Sequence, residues 1–265
     1  MFMEKIDNNF RIGEIARSYV FKRFPFASKK EKEKIKKDWE RKVEVSRMVA
    51  NDFKRRTGDI KGIKILDDGC GNGGLAIAFA EAGAEVFGVD IEKELIDIAQ
   101  KHSAIYKVFP KFIFYNGKKL PFEDNFFDAV LSISVLEHVS NPVNYLSEIS
   151  RVLKFGGYLY LAFPNRLWPR ETHTLLWGIT YLPYKIAEVI TRLFKRNPLS
   201  ENNLHFYTYW NLKKMLIESG KWSIKEEKGE SVGFFKKFIK SVLNLLGIPY
   251  KTFLPHISVI LQKQI

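Results

Sequence analysis

Between residues 63 and 163 the chain alternates short apolar runs with longer amphipathic segments. The runs are IKILD (63–67), EVFGVD (85–90), KFIFY (111–115), FDAVLSI (127–133) and GYLYLAF (157–163). Strand-length runs separated by helix-length segments are too far apart for tight hairpins and pair through crossovers, which predicts a parallel sheet covered by helices. Gly83 is placed to close one helix, Asn141-Pro142 to open another, and Gly220 to end a helix over 209–219. Upstream, Ser28 and Glu31 have capping-box spacing, and Ile35, Trp39, Val43 and Phe53 fall on helical periods, which predicts one long helix over 28–57 with a basic wet face. After Asn165 the rhythm breaks into a Trp-, Leu-, Tyr- and Pro-rich stretch, 166–203, read as an insertion over the sheet's edge. The tail predicts a strand over 222–227, a basic amphipathic helix over 234–246 and a last strand over 256–262.

With 265 residues, 46% of them hydrophobic, the chain can bury a substantial core. Its single cysteine, Cys70, excludes a disulfide scaffold and a multi-cysteine zinc module, and no metal site is expected. The N-terminus lacks an apolar signal core, and no uncharged run approaches the roughly 18 residues of a membrane span. The expected location is the cytoplasm, with peripheral membrane association open. The net charge of +13 is uneven: 18 basic residues face 10 acidic ones in 1–62, 9 face 13 in 63–165, and 16 face 7 in 166–265. Basic flanks around an acidic middle suggest an anionic partner for the flanks. A Lys- and Glu-rich coat with three glutamines also fits a heat-adapted surface.

ILDDGCGNGG places Gly69, Gly71 and Gly73 in a turn between strand and helix, where absent side chains let a ligand approach backbone amides and a helix N-terminus. With Gly74 the stretch also satisfies GxGxxG, so the loop alone fits a dinucleotide as well as S-adenosylmethionine. Asp90 ends the second strand, where a carboxylate can accept from both hydroxyls of an adenosine ribose; this too fits both.

Asp67 ahead of the loop, the acid at strand two, and the blocks LPFEDNFFDAV (120–130) and SISVLEHV (132–139) separate the two. In this order they resemble the class I S-adenosylmethionine-dependent methyltransferases, in the branch that includes quinone-biosynthesis enzymes. The resemblance covers 63–165. It implies a doubly wound, seven-stranded Rossmann-like α/β sheet whose last strand is antiparallel, with an N-terminal helix and an inserted lid. The implied organisation is an N-terminal extension (1–62), a cofactor-binding core (63–165), a lid and acceptor region (166–208), and C-terminal helices and strands (209–265).

The resemblance assigns the methionine part of S-adenosylmethionine to Asp67 and to Gly69, Cys70, Gly71 and Gly73. It gives the ribose to Asp90 with Ile91 beside it, and the adenine edge to Asn116-Gly117, although relatives commonly carry Asp where Asn116 stands. Ser132 and Ser134 would face the methionine end, and the product would be S-adenosylhomocysteine. The acidic middle suits a sulfonium cation. Cys70 is read as a small loop residue rather than a nucleophile.

Methyl transfer is an in-line displacement that rewards positioning, and a hydroxyl acceptor benefits from a general base such as histidine. His138 in the LEHV block, His173 in the insertion and His205 after it are the catalytic candidates. Glu137 is placed to orient a histidine or cap a turn. His102 is expected to be solvated and His256 structural. SISV stands where many amino-methylating enzymes carry an NPPY-like block, which argues against nucleobase or amide nitrogen. The expected partner is a small-molecule, lipid-linked or glycan acceptor. The basic aromatic stretches 167–196 and 233–247 suggest contact with an anionic membrane. The alternatives are an RNA methyltransferase, with nucleic acid drawn to the basic flanks, and a non-catalytic S-adenosylmethionine-binding protein.

Overall fold

The computed structural model describes residues 12–15, 17–25, 27–200, 203–220, 222–225 and 254–265. The expected helix over 234–246 lies outside them. Seven strands form one sheet in the order β3-β2-β1-β4-β5-β7-β6. They are β1 (Lys64–Asp68), β2 (Glu85–Asp90), β3 (Lys111–Phe114), β4 (Phe127–Ile133), β5 (Leu153–Pro164), β6 (Trp222–Ile224) and β7 (His256–Lys263). Pairing is parallel for β1 with β2, β1 with β4 and β2 with β3, and antiparallel for β6 with β7. The expected α/β sheet and its antiparallel last strand are therefore present. The chain divides into two compact units, Met1–Ser132 with Arg151–Tyr158, and Ile133–Ser150 with Leu159–Ile265.

In the first unit, α1 (Arg17–Arg23) precedes α2 (Lys29–Glu40), whose start is the capping box read from the sequence: Ser28 Oγ accepts from the Glu31 amide at 3.2 Å and the Ser28 amide donates to Glu31 at 2.8 Å. The expected single helix over 28–57 is instead two. Arg41, with φ −90° and ψ −1°, separates α2 from α3 (Lys42–Thr57). The halves serve different packing sites: Trp39 joins Ile12, Tyr19, Leu95 and Ile98, while Val43, Ala50 and Phe53 are buried from α3. The Phe53 ring meets Phe79 edge-on at 5.7 Å. Phe79 belongs to α4 (Gly74–Glu81), a short helix buried along most of its length, which explains why its sequence shows no polar face. Gly83, at φ +94°, donates to the Ala80 carbonyl and closes it, as expected. α5 (Lys93–Ile105) follows β2.

In the second unit, a 3₁₀ turn (Leu136–His138) leads into α6 (Pro142–Val152), capped by Asn141, whose side chain accepts from the Asn144 amide at 3.0 Å. The insertion contains a second 3₁₀ turn (Ile179–Tyr181) and α7 (Tyr184–Leu193), held on a cluster of Ile179, Ala187, Leu199 and Leu204. α8 (Tyr209–Ser219) starts at a Thr208–Asn211 capping box and ends at Gly220.

Candidate functional site

The first unit builds a cradle at the carboxyl ends of β1 and β2. The Gly69 and Cys70 amides both donate to the Val89 carbonyl at 2.9 Å, so the loop is tied to the neighbouring strand before the helix begins. Gly71 donates to Asp90 Oδ2 and Glu92 to Asp90 Oδ1, each at 2.9 Å. These bonds fix the Asp90 carboxylate, and each oxygen keeps acceptor capacity for a ribose hydroxyl. Burial raises the Asp90 carboxyl above its usual range, and the Glu92 and Gly71 amides oppose it.

Asp67 is 2% exposed and accepts from the Ala76 amide at 3.1 Å. Burial pushes its carboxyl up to about 7 against the nearby Lys42 ammonium. Gly71, at φ +53°, has no atom within 4 Å of the position a Cβ would take, so the loop presents open space there. Gly73, at φ +78°, is shut in: a Cβ would lie 2.9 Å from that of Ala99 and 3.0 Å from the Phe112 ring. Ile91 is exposed, and a Cβ on Gly117 would come within 3.2 Å of its Cγ2, so those two sit together as an apolar flank. Asn116 is exposed and accepts from the Lys118 amide, and Ser132 is buried at the end of β4 in register with Asp68. Open loop backbone, a fixed carboxylate and an apolar flank fit an adenosyl ligand.

Two features of this cradle were not read from the sequence. His102 is fully buried rather than solvated: its Nδ1 lies 2.8 Å from the Asn72 carbonyl, inside the glycine loop. Burial lowers its pKa to about 4, so the ring is neutral. Lys42, at the start of α3, lies over Gly74. Cys70 is buried, and burial raises its thiol well above the ordinary value, which agrees with a packing role.

The second unit gathers all three candidate histidines around the 3₁₀ turn. The His138 and His173 rings meet edge-on with centroids 5.2 Å apart. The His205 amide donates to the Glu137 carbonyl at 2.7 Å, and His205 Nε2 lies 3.2 Å from Asn203 Oδ1. Asn203 in turn donates to the His138 carbonyl and to Ser140 Oγ. Ser134 also belongs to this unit; it adopts φ +59° and its amide donates to Ala162.

Glu171, which sequence reasoning missed between two polar neighbours, is the anchor of the group. It receives the His173 and Thr174 amides and stands 2.9 Å from His173 Nδ1. Burial opposes its ionisation, but the His173 contacts prevail and hold it down at about 2. Burial works against the charge on His173, and the two carboxylates of Glu171 and Glu137 outweigh it and raise the pKa. Glu137 is 1% exposed, and burial pushes it up to about 7. His256, on β7, is held below its usual value by burial and by the charge of His173.

Comparison with known proteins bears on the first unit most directly. Residues 66–161 match the family described as a methyltransferase domain. The ubiquinone biosynthesis O-methyltransferase of Pelagibacter ubique is 28% identical over 213 residues, 73% of this chain and 82% of that protein. Its counterpart in Chromobacterium violaceum is 37% identical over 116 residues, 43% of this chain and 50% of that one. The chain spans about half the length of several such relatives. Among solved structures, magnesium protoporphyrin IX methyltransferase from Synechocystis PCC 6803, with bound S-adenosylhomocysteine, shares the fold at TM-score 0.55 and 20% identity, covering 87% of each chain. The [4+2]-cyclase SpnF shares it at 0.56 and 19%, over 86% of this chain and 84% of that one. Fold alone is thus compatible with other chemistry, and it is residues 66–161, the segment that carries the glycine loop and the carboxylate blocks, that match a methyltransferase domain.

Proposed function

We propose that the protein transfers the methyl group of S-adenosylmethionine to a hydroxyl oxygen of a small, amphiphilic acceptor and releases S-adenosylhomocysteine. The observation that carries this reading is the Asp90 carboxylate fixed by the Gly71 and Glu92 amides beside an open glycine turn. Asp90 would hold the ribose hydroxyls, Ile91 and Gly117 would flank the adenine with Asn116 at its edge, and Asp67 would face the methionine ammonium. The bound cofactor supplies an electrophilic methyl on a sulfonium sulfur. The acceptor hydroxyl must give up its proton, and the Glu137, His138, His173 and His205 group is the assembly of proton-accepting side chains we assign to that task. The O-methyltransferase names of the curated relatives support an oxygen acceptor.

Calorimetric titration with S-adenosylmethionine, S-adenosylhomocysteine and NAD tests the cofactor. Adenosyl binding without NAD binding, weakened in Asp90→Ala, supports the reading, and NAD binding alone overturns it. Labelled methyl transfer to hydroxylated acceptors then separates an enzyme from a non-catalytic binder.

The amphiphilic part of the proposal rests on α7. Ile186, Val189, Leu193 and Phe194 are exposed there, as are Trp177 and Tyr181 earlier in the same insertion, and Lys185, Arg192 and Lys195 are interspersed along the segment. An apolar face set among cations matches an anionic lipid surface. No helix among the described residues is long and apolar enough to cross a membrane. Co-sedimentation with phosphatidylserine-containing vesicles at low salt, lost in Leu193→Glu, is the expected result.

A further inference from the structure

We propose that Glu137, His138 and His173 form a binding site for a first-row divalent transition-metal ion of the zinc type. The three residues come from the 3₁₀ turn and the insertion, and one donor atom from each lies within 4.8 Å of the others. His173 Nε2 is 3.8 Å from Glu137 Oε1. Ligands at about 2.0–2.1 Å from a tetrahedral ion stand roughly 3.3 Å apart, so small side-chain rotations would close the set.

Two further observations point to a ligand. Glu137 is 1% exposed, yet neither of its carboxylate oxygens has a hydrogen-bond partner. A buried carboxylate without donors is costly, and a cation seated against it removes that cost. His173 is also prepared as a ligand. Its Nδ1 faces Glu171 Oε1 at 2.9 Å, and Glu171 is itself fixed by the His173 and Thr174 amides. A carboxylate behind one ring nitrogen sets the tautomer and leaves the other nitrogen's lone pair for a metal.

Asn203 holds the His138 carbonyl at 2.6 Å and restricts the backbone that carries both other donors. Two imidazoles and one carboxylate suit zinc and its neighbours rather than magnesium or calcium, and leave a position open for an oxygen ligand. That this oxygen is the acceptor hydroxyl rests on the proposed function; the ion site does not. With the ion bound, Glu137, His138 and His173 act as its ligands and His205 is the member of the group left to take the hydroxyl proton.

The test uses the full chain, stripped with a chelator and dialysed, then titrated with Zn²⁺ and Co²⁺ by calorimetry and visible absorption. One equivalent of either ion is expected, with a Co²⁺ ligand-field band that Zn²⁺ displaces. His173→Ala and Glu137→Gln should weaken binding at least a hundredfold. Glu171→Gln, which leaves the three donors in place, should weaken it about ten- to a hundredfold. S-adenosylhomocysteine titration and thermal melting of each variant show that the fold survives. If wild type binds neither ion, or binds them no better than His173→Ala, or takes up Mg²⁺ in preference, the proposal is overturned. If the wild type takes up one equivalent of zinc but no adenosyl ligand, the methyltransferase reading fails and the metal site stands.

Discussion

The Nδ1 atom of His102 lies 2.8 Å from the backbone carbonyl of Asn72, tying α5 to the centre of the glycine loop. A carbonyl only accepts, so Nδ1 carries the proton and the neutral ring is the donor. With a folded-state pKa of about 4 against 6.5 when unfolded, the unfolded chain binds the extra proton between those values. Stability that is complete above pH 6.5 is therefore lost as the pH falls towards 4, by about 3 kcal/mol from this residue. Denaturant titration of wild type and His102→Gln across that window checks it. The variant should show a shallower acid decline and a lower stability at neutral pH.

Asp67 has the opposite sign. Its carboxyl is raised to about 7, so the ligand-free protein holds a proton there below that pH. A cationic ammonium placed against it favours the carboxylate, and binding should release a proton. Calorimetry of S-adenosylhomocysteine near pH 6.5 in buffers of different ionisation enthalpy should reveal that release. Asp67→Asn should abolish the buffer dependence and weaken binding about ten- to a hundredfold.

The two central glycines separate strain from crowding. Gly71→Ala meets only the cost of a left-handed φ, about 1–2 kcal/mol, because nothing lies within 4 Å. Gly73→Ala adds overlap with Ala99 and Phe112, about 1–3 kcal/mol more. Equal losses in thermal or urea unfolding would contradict this ordering.

Phe53→Ala should cost about 3–5 kcal/mol in urea unfolding, since the ring is fully buried against Phe79 and Tyr158. A loss under 1 kcal/mol would show that α3 is not part of the core.

The parallel sheet and its caps were legible because their signals are local. Ser28 with Glu31, Asn141 before Pro142, and Gly83 and Gly220 each act within one turn of chain. The break at Arg41 was not, because no Gly or Pro marks it and only tertiary packing of Trp39 and Phe53 requires it. His102 sits among Gln100 and Lys101 and reads as solvated, but its partner is 30 positions away in the loop. Glu171 was invisible for a related reason: its value lies in His173 two residues on, which in turn stands 3.8 Å from Glu137 over thirty residues upstream, and neither contact has a period or motif.

The chain's one thiol, on Cys70, is 6% exposed inside the turn that the adenosyl ligand would occupy, so a maleimide reaches it only when that turn opens. The native protein thus carries a single chemical clock at the place of interest. Its labelling rate reports how often the loop unlatches, needs no engineered probe, and should slow in proportion as a ligand fills the turn.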